Sequence, residues 1–210
     1  MFKVVNLNTW KRKQHYNHFM SLKDPWFALT LPFNVTKAYN FSKTNHISFF
    51  AKYLHDCMKA INTVENLKYR IQNNQVVEYD IIHASATIMR SDNTFGFSFI
   101  DFHTDLNRFI DNINTEKQRI HNSNALYPPK NGLDCIHCSA MPWLNFTGHK
   151  EPQSGLVDSI PKIAFSKANK IDNKLVMQVS IQVNHALVDG YHVGLFSEKF
   201  QHYLNEKNLN

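Results

Sequence analysis

The sequence predicts an α+β fold, a two-layer sandwich in which helices pack against a mainly antiparallel mixed sheet. Three observations carry that expectation. Through residues 47–64 the apolar positions Phe49, Phe50, Tyr53, Leu54, Cys57, Met58, Ile61 and Val64 recur at three and four residues, the single buried stripe of a helix. Strand-like runs joined by polar turns, 67–71 with 76–79 and 159–168 with 174–184, read as hairpins. The last of these runs passes without spacer into a helical pattern, Val193, Phe196, Phe200, Tyr203 and Leu204, so hairpins and separated helices are mixed along one chain.

The elements follow in order. Residues 10–23 are polar with Tyr16, Phe19, Met20 and Leu22 spaced as a short helix lying on a core, and Asp24 and Pro25 stop it. Residues 26–35 alternate through Phe27, Leu29, Leu31, Phe33 and Val35, a strand with one buried face. After the 47–64 helix, the first hairpin turns at Gln72, Asn73, Asn74 and Gln75. Two more strands are expected at 84–89 and 94–102, then a helix at 104–121 carrying Leu106, Phe109, Ile110 and Ile113. Pro128, Pro129 and Gly132 break the chain before an apolar run at 133–146. In 174–184, Leu175, Met177, Val179, Ile181 and Val183 share one face, and Gln178, Ser180 and Gln182 the other.

A chain of 210 residues without repeat, low-complexity tract or composition break is expected to form a single domain, 1–210. With 43% apolar and only 19% charged residues it buries enough surface to fold, which excludes general disorder. No apolar run has the roughly 18 residues that cross a bilayer, and residues 1–10 lack a signal-peptide pattern. No membrane association and a cytoplasmic location are therefore expected. The formal charge of +6 favours anionic partners, but the positive charges are scattered and no nucleic-acid module is visible, so no nucleic-acid partner is expected. Three cysteines leave one unpaired in any disulfide scheme, which suits a reducing compartment.

Cys135-Ile-His-Cys138 is half of a zinc pattern with no second cysteine pair, and residues three apart on a strand point to opposite faces, so buried structural thiols are expected. His15 and His18 have no third ligand at a matching place and read as surface histidines; no metal site is expected. His185-Ala-Leu-Val-Asp189-Gly190 differs in kind. It puts a histidine where a strand ends and an Asp-Gly turn where a helix starts, so the ring is held on ordered backbone at a cleft edge. A neutral imidazole so placed serves as a general base toward a hydroxyl or thiol. Asp189 can brace the loop through an ion pair, with Gly190 permitting a left-handed turn.

The longer segment, Gln182-Val-Asn-His185-Ala-Leu-Val-Asp189-Gly-Tyr-His192-Val-Gly, resembles the C-terminal active-site signature of the type A chloramphenicol acetyltransferases. That signature has two histidines, three variable residues, Asp and Gly before an aromatic residue and a histidine. Trp10-Lys-Arg12-Lys-Gln-His15-Tyr16 is similar to the family's N-terminal pattern, Ser139-Ala-Met-Pro142-Trp143-Leu-Asn-Phe146 to its Ser-Ala-x-Pro-Trp segment, and residues 67–71 with 76–80 to its hairpin. The resemblance implies a Coenzyme A-dependent acyltransferase built as a homotrimer with sites between subunits. His185 is then the general base that deprotonates a hydroxyl of a small-molecule acceptor, with acetyl-CoA as co-substrate and no permanently bound cofactor. The His185 ring is expected to bond its own backbone carbonyl, and Asp189 to pair with Arg12. Asn184 replaces the first histidine of the signature.

Two departures bear on activity. Gly148 stands where the family has a serine aimed at the tetrahedral oxyanion, and Ala164 where it has a threonine acting through water; Ser166, two residues on, is the expected substitute. For Coenzyme A, Lys167 matches a family lysine near the phosphates, Ser48 stands at another such lysine, and Trp143 and Phe50 are expected to line the channel or to pack. In the acceptor pocket Phe19, Phe27 and Phe95 fall at aromatic positions, whereas Lys23 and Pro25 replace an apolar residue and a small thiol. A lysine there disfavours a purely apolar acceptor. The sequence thus supports O-acetylation of a hydroxylated small molecule, chloramphenicol at its 3-hydroxyl first. The alternatives are a degenerate or retuned relative that acts on another acceptor or only binds small molecules, and an acyltransferase core of a dehydrogenase complex.

Overall fold

A computed structural model describes residues 1–153 and 157–206. In chain order the strands are β1 (Phe2–Val4), β2 (Trp26–Asn34), β3 (Tyr69–Gln72), β4 (Gln75–Tyr79), β5 (His83–Met89), β6 (Phe95–Phe97), β7 (Cys135–Met141), β8 (Lys162–Ile171) and β9 (Lys174–Asn184). The helices are α1 (Lys13–Met20), α2 (Thr36–Thr44), α3 (Phe49–Thr63), α4 (Leu106–His121) and α5 (Gly190–Leu204). A six-stranded sheet runs β2-β9-β8-β7-β5-β6. Its β2/β9, β9/β8 and β5/β6 pairs are antiparallel and its β8/β7 and β7/β5 pairs parallel, the expected mixed sheet with antiparallel pairs in the majority. A small sheet, β1-β4-β3, stands beside it.

The alternation read over 174–184 is realised in β9, where Met177, Val179, Ile181 and Val183 are at most 1% exposed on the face toward the helices. Aromatic side chains join the layers: Tyr53 of α3 lies 4.9 Å from Phe165 of β8, and Phe33 of β2 lies 4.8 Å from Phe200 of α5, ring centre to ring centre. The first hairpin turns on Asn73 and Asn74, at φ 50° and 60°. A two-residue turn with both central residues in the left-handed region matches strand twist, and asparagine tolerates it. The buried Arg70 guanidinium donates to the carbonyls of Leu67, Tyr69, Leu133 and Cys135, tying the small sheet to the start of β7.

Three elements differ from the sequence reading. The strand expected over 94–102 stops at Phe97, after which the chain is held by the bridge of Ala84 to Ile100. The short edge strand β1 and helix α2 carry no apolar period. α2 turns small residues inward, Ala38 and Ser42 one turn apart, with the Ser42 hydroxyl donating to the Ala38 carbonyl at 2.9 Å. Among the described residues, no helix is long and apolar enough to cross a membrane. Phe200 is fully buried between Phe33 and Phe196, so Phe200→Ala is expected to lower unfolding stability by about 3–5 kcal/mol, read as a shifted urea midpoint; a loss below about 1 kcal/mol would show that this seam does not hold the layers together.

Candidate active site

His185 is the first residue beyond β9. Its backbone N–H donates to the Pro25 carbonyl at 2.7 Å, just ahead of β2, so the residue is fastened to the outermost strand pair. The ring is stacked on Phe19 of α1, with centres 3.8 Å apart and planes 7° from parallel, and Phe27 of β2 closes on it at 4.6 Å. Its Nδ1 is buried without a hydrogen-bond partner among the described residues. The expected bond from that nitrogen to the residue's own carbonyl is thus not seen, and the carbonyl instead meets Arg12 Nη2 at 3.5 Å.

Arg12, just ahead of α1, bridges back to the same loop. Its Nη1 donates to Asp189 Oδ2 at 2.5 Å. Asp189 also caps α5, accepting from the Tyr191 N–H, while His192 Nδ1 accepts from the Asp189 N–H at 3.1 Å. Burial works against ionising Asp189, yet the hydrogen bond and charge of Arg12, with His192 beside them, hold its carboxyl below the usual carboxylate range. His192 is likewise lowered, chiefly by burial and against the pull of Asp189, which keeps the ring neutral and able to accept. Gly190 makes no left-handed turn; it is simply the first residue of α5.

A second feature lies apart from this histidine. A cleft of about 1020 Å³ opens at β5 to β8, bounded on the helix side by Tyr39, Phe49, Phe50 and Tyr53 and elsewhere by Phe95, Trp143 and Lys167. That is the volume of a drug-sized ligand site, lined mainly by aromatic and apolar groups. Neither His185, Asp189 nor Arg12 lines it.

The profile of the chloramphenicol acetyltransferase family matches residues 1–201. The chain belongs to the chloramphenicol acetyltransferase family. Similar proteins include the Klebsiella sp chloramphenicol acetyltransferase, 24% identical over 98% of this chain and 94% of that protein. Chloramphenicol acetyltransferase 3 of Escherichia coli is 24% identical over 96% of each chain, and the Clostridium perfringens chloramphenicol acetyltransferase 25% identical over 98% and 99%. Among solved structures, a chloramphenicol acetyltransferase superposes with a TM-score of 0.86 at 25% identity, covering 97% of this chain and all of that one. The cubic core of a pyruvate dehydrogenase multienzyme complex superposes at 0.66 and 12% identity over 97% and 90%, a likeness of fold. The chain is an acyltransferase, and the match supports acetyltransfer.

Within this chloramphenicol acetyltransferase relative the predicted residues divide into two places. His185, Arg12, Asp189, Phe19 and Phe27 come together, with Lys23 exposed beside α1. Phe50, Phe95, Trp143, Ser166 and Lys167 come together around the cleft. Gly148 is exposed outside both, and a Cβ built on it meets nothing within 4 Å. Ser166 is less available than its position suggested: its hydroxyl donates to the Lys167 carbonyl and accepts from the Gln178 N–H, both at 2.9 Å, at a bulge in β8. Ala164 is buried in register with Ser180, whose Oγ is buried and unpartnered. Ser48 caps α3, accepting from the Ala51 N–H. Cys135 and Cys138 are buried in separate apolar clusters, and burial pushes the Cys135 thiol up to about 12.

Sequence reading missed His137, Glu151, Asp158 and Lys162, all on the wall of the cleft. Their signal is faint: His137 sits inside the cysteine pattern, and Lys162 opens a strand whose next three residues are apolar. For the bridge, a double-mutant cycle over Arg12→Ala and Asp189→Ala, read by urea unfolding, is expected to give a coupling of about 1–3 kcal/mol; additive effects would remove the pair as a brace of the His185 loop.

Proposed function

We propose that this protein O-acetylates a hydroxylated small molecule using acetyl-CoA, with chloramphenicol's 3-hydroxyl the first acceptor to test, and that it works in the cytoplasm as a homotrimer. The observation that carries the reading is the holding of one imidazole by two aromatic rings and by the Arg12–Asp189 bridge at the end of β9. With Nδ1 buried, Nε2 is the nitrogen left to meet an acceptor. His185 Nε2 takes the hydroxyl proton as the acceptor oxygen bonds to the thioester carbonyl carbon. The C–S bond then breaks, and the departing thiolate recovers a proton from the imidazolium. Nothing is bonded to the enzyme in this sequence of steps.

The cleft suits Coenzyme A in chemistry as well as volume. Lys167 is exposed at its rim for a phosphate, and Trp143 and Phe50 supply apolar surface for the pantetheine arm. His185 lies outside that cleft; in the proposed enzyme a second copy of the chain presents its own His185 there. This separation supports sites shared between copies, and the family resemblance supplies the number three.

The missing oxyanion donors favour a second reading, a retuned or weakened enzyme. Gly148 offers no hydroxyl, and the Ser166 hydrogen is committed to Lys167. Ser180 has the one hydroxyl beside Ala164 in register that is buried and uncommitted among the described residues.

An assay of thiol release from acetyl-CoA with chloramphenicol tests both readings. His185→Ala is expected to cut turnover by about 100- to 10,000-fold. Equal rates in wild type and variant would remove His185 as the base. Gly148→Ser, which the open space accommodates, is expected to raise turnover by up to about 100-fold if the oxyanion lacks a donor; an unchanged rate would assign stabilisation to another group.

A further inference from the structure

One stretch of the cleft wall takes no part in the reaction just described. On the sheet face away from the helices, His137 of β7 stands in register with Lys162 of β8, and Asp158 and Glu151 continue the same wall. Lys162 is only 7% exposed, and its ammonium is spent within the protein. It lies 2.5 Å from Asp158 Oδ2, 3.3 Å from Gln153 Oε1 and 4.3 Å from the centre of the Trp26 ring. Asp158 Oδ1 in turn accepts the Ile160 N–H. The ion pair is therefore closed on itself.

Among the described residues, the groups of this wall left for a ligand are the His137 ring and the Glu151 carboxylate. Burial lowers the His137 pKa, against the nearby Asp158, so the ring is neutral and offers one donor and one acceptor nitrogen. Glu151 spends its backbone N–H on Gln182 Oε1, and its carboxylate has His149 Nε2 3.4 Å away. An apolar group pressed here would take water from a carboxylate and an imidazole and return no hydrogen bond. An anion would face the Glu151 carboxylate, with Lys162 already matched by Asp158. A hydrogen-bond donor, neutral or cationic, satisfies both groups.

We propose that this wall selects the acyl acceptor: the molecule acetylated carries, beyond its reacting hydroxyl, hydroxyl or ammonium donors received by His137 and Glu151, the class of a polyhydroxylated amine. An acceptor with a wholly apolar far end is disfavoured. The assignment rests on the acetyltransfer reading, with the acceptor sharing the one cleft with Coenzyme A, whose Lys167, Trp143 and Phe50 line another part of it, and it names the acceptor class that the reading left open.

Calorimetric binding of two probes tests it without requiring turnover: kanamycin as the polyhydroxylated amine and chloramphenicol as the nitroaromatic. Wild type is expected to bind kanamycin at least about tenfold more tightly. Glu151→Gln, isosteric and at a partly exposed position, is expected to reduce that preference at least about fivefold by weakening kanamycin. His137→Phe is expected to reduce it by tightening chloramphenicol as well. Tighter binding of chloramphenicol by wild type, a preference unmoved in Glu151→Gln, or binding of neither probe would overturn the proposal. Thiol release measured beside binding separates it from the reaction itself. A preserved preference with no release in any variant would contradict acetyltransfer and leave the wall's selectivity standing, whereas His185→Ala is expected to abolish release and keep the preference.

Discussion

The bridge from Arg12 to Asp189 joins parts of the chain 177 residues apart, and the candidate site depends on it. It brings the start of α1 against the loop that follows β9. That contact puts Phe19 flat on the His185 ring and gives the His185 carbonyl a cationic neighbour. The pair is partly buried and screened less than a surface pair, and Asp189 also caps α5, so one carboxylate fixes helix, loop and imidazole together. His192 completes the arrangement by accepting the Asp189 N–H, which requires a neutral ring.

The sheet determines what that imidazole can reach. β9 delivers His185 beside the edge strand β2, whereas the large cleft opens toward β5 to β8. One chain thus holds the His185 ring and a ligand-sized cavity in different places. In the proposed enzyme, symmetry reconciles them: each base serves a neighbour's cleft. The main packing of the sheet lies on its other face, where Phe165, Val179 and Ile181 meet the helices. A charged pair such as Lys162–Asp158 adds little net stability when buried.

Much of this was legible in the sequence. Period two in β9 and period 3.6 in α3 and α5 are strong because each element buries a continuous face. β1 is too short, and α2 turns Ala38 and Ser42 inward, so neither leaves a periodic apolar trace. His185, Asp189 and Arg12 were recoverable because their order along the chain resembles a family signature. The wall of His137, Glu151, Asp158 and Lys162 was not, since it arises from register between β7 and β8 and from a loop folded over them. Ser166 lies on the strand that alternation predicts, but the bulge and its two hydrogen bonds, invisible to alternation, occupy its hydroxyl. The left-handed turn expected at Gly190 gave way to a helix start because Asp189 caps α5 directly.

If one copy's imidazole and another copy's cleft make a single site, two chains disabled in different halves of it complement each other. His185→Ala removes the base, while Ala140→Trp fills the cleft from a half-buried position on its wall. The two inactive chains, unfolded together and refolded as a mixture, are expected to regain thiol release from acetyl-CoA that neither shows alone. A mixture no more active than its parents, with each chain sedimenting as a monomer, would contradict a site shared between copies.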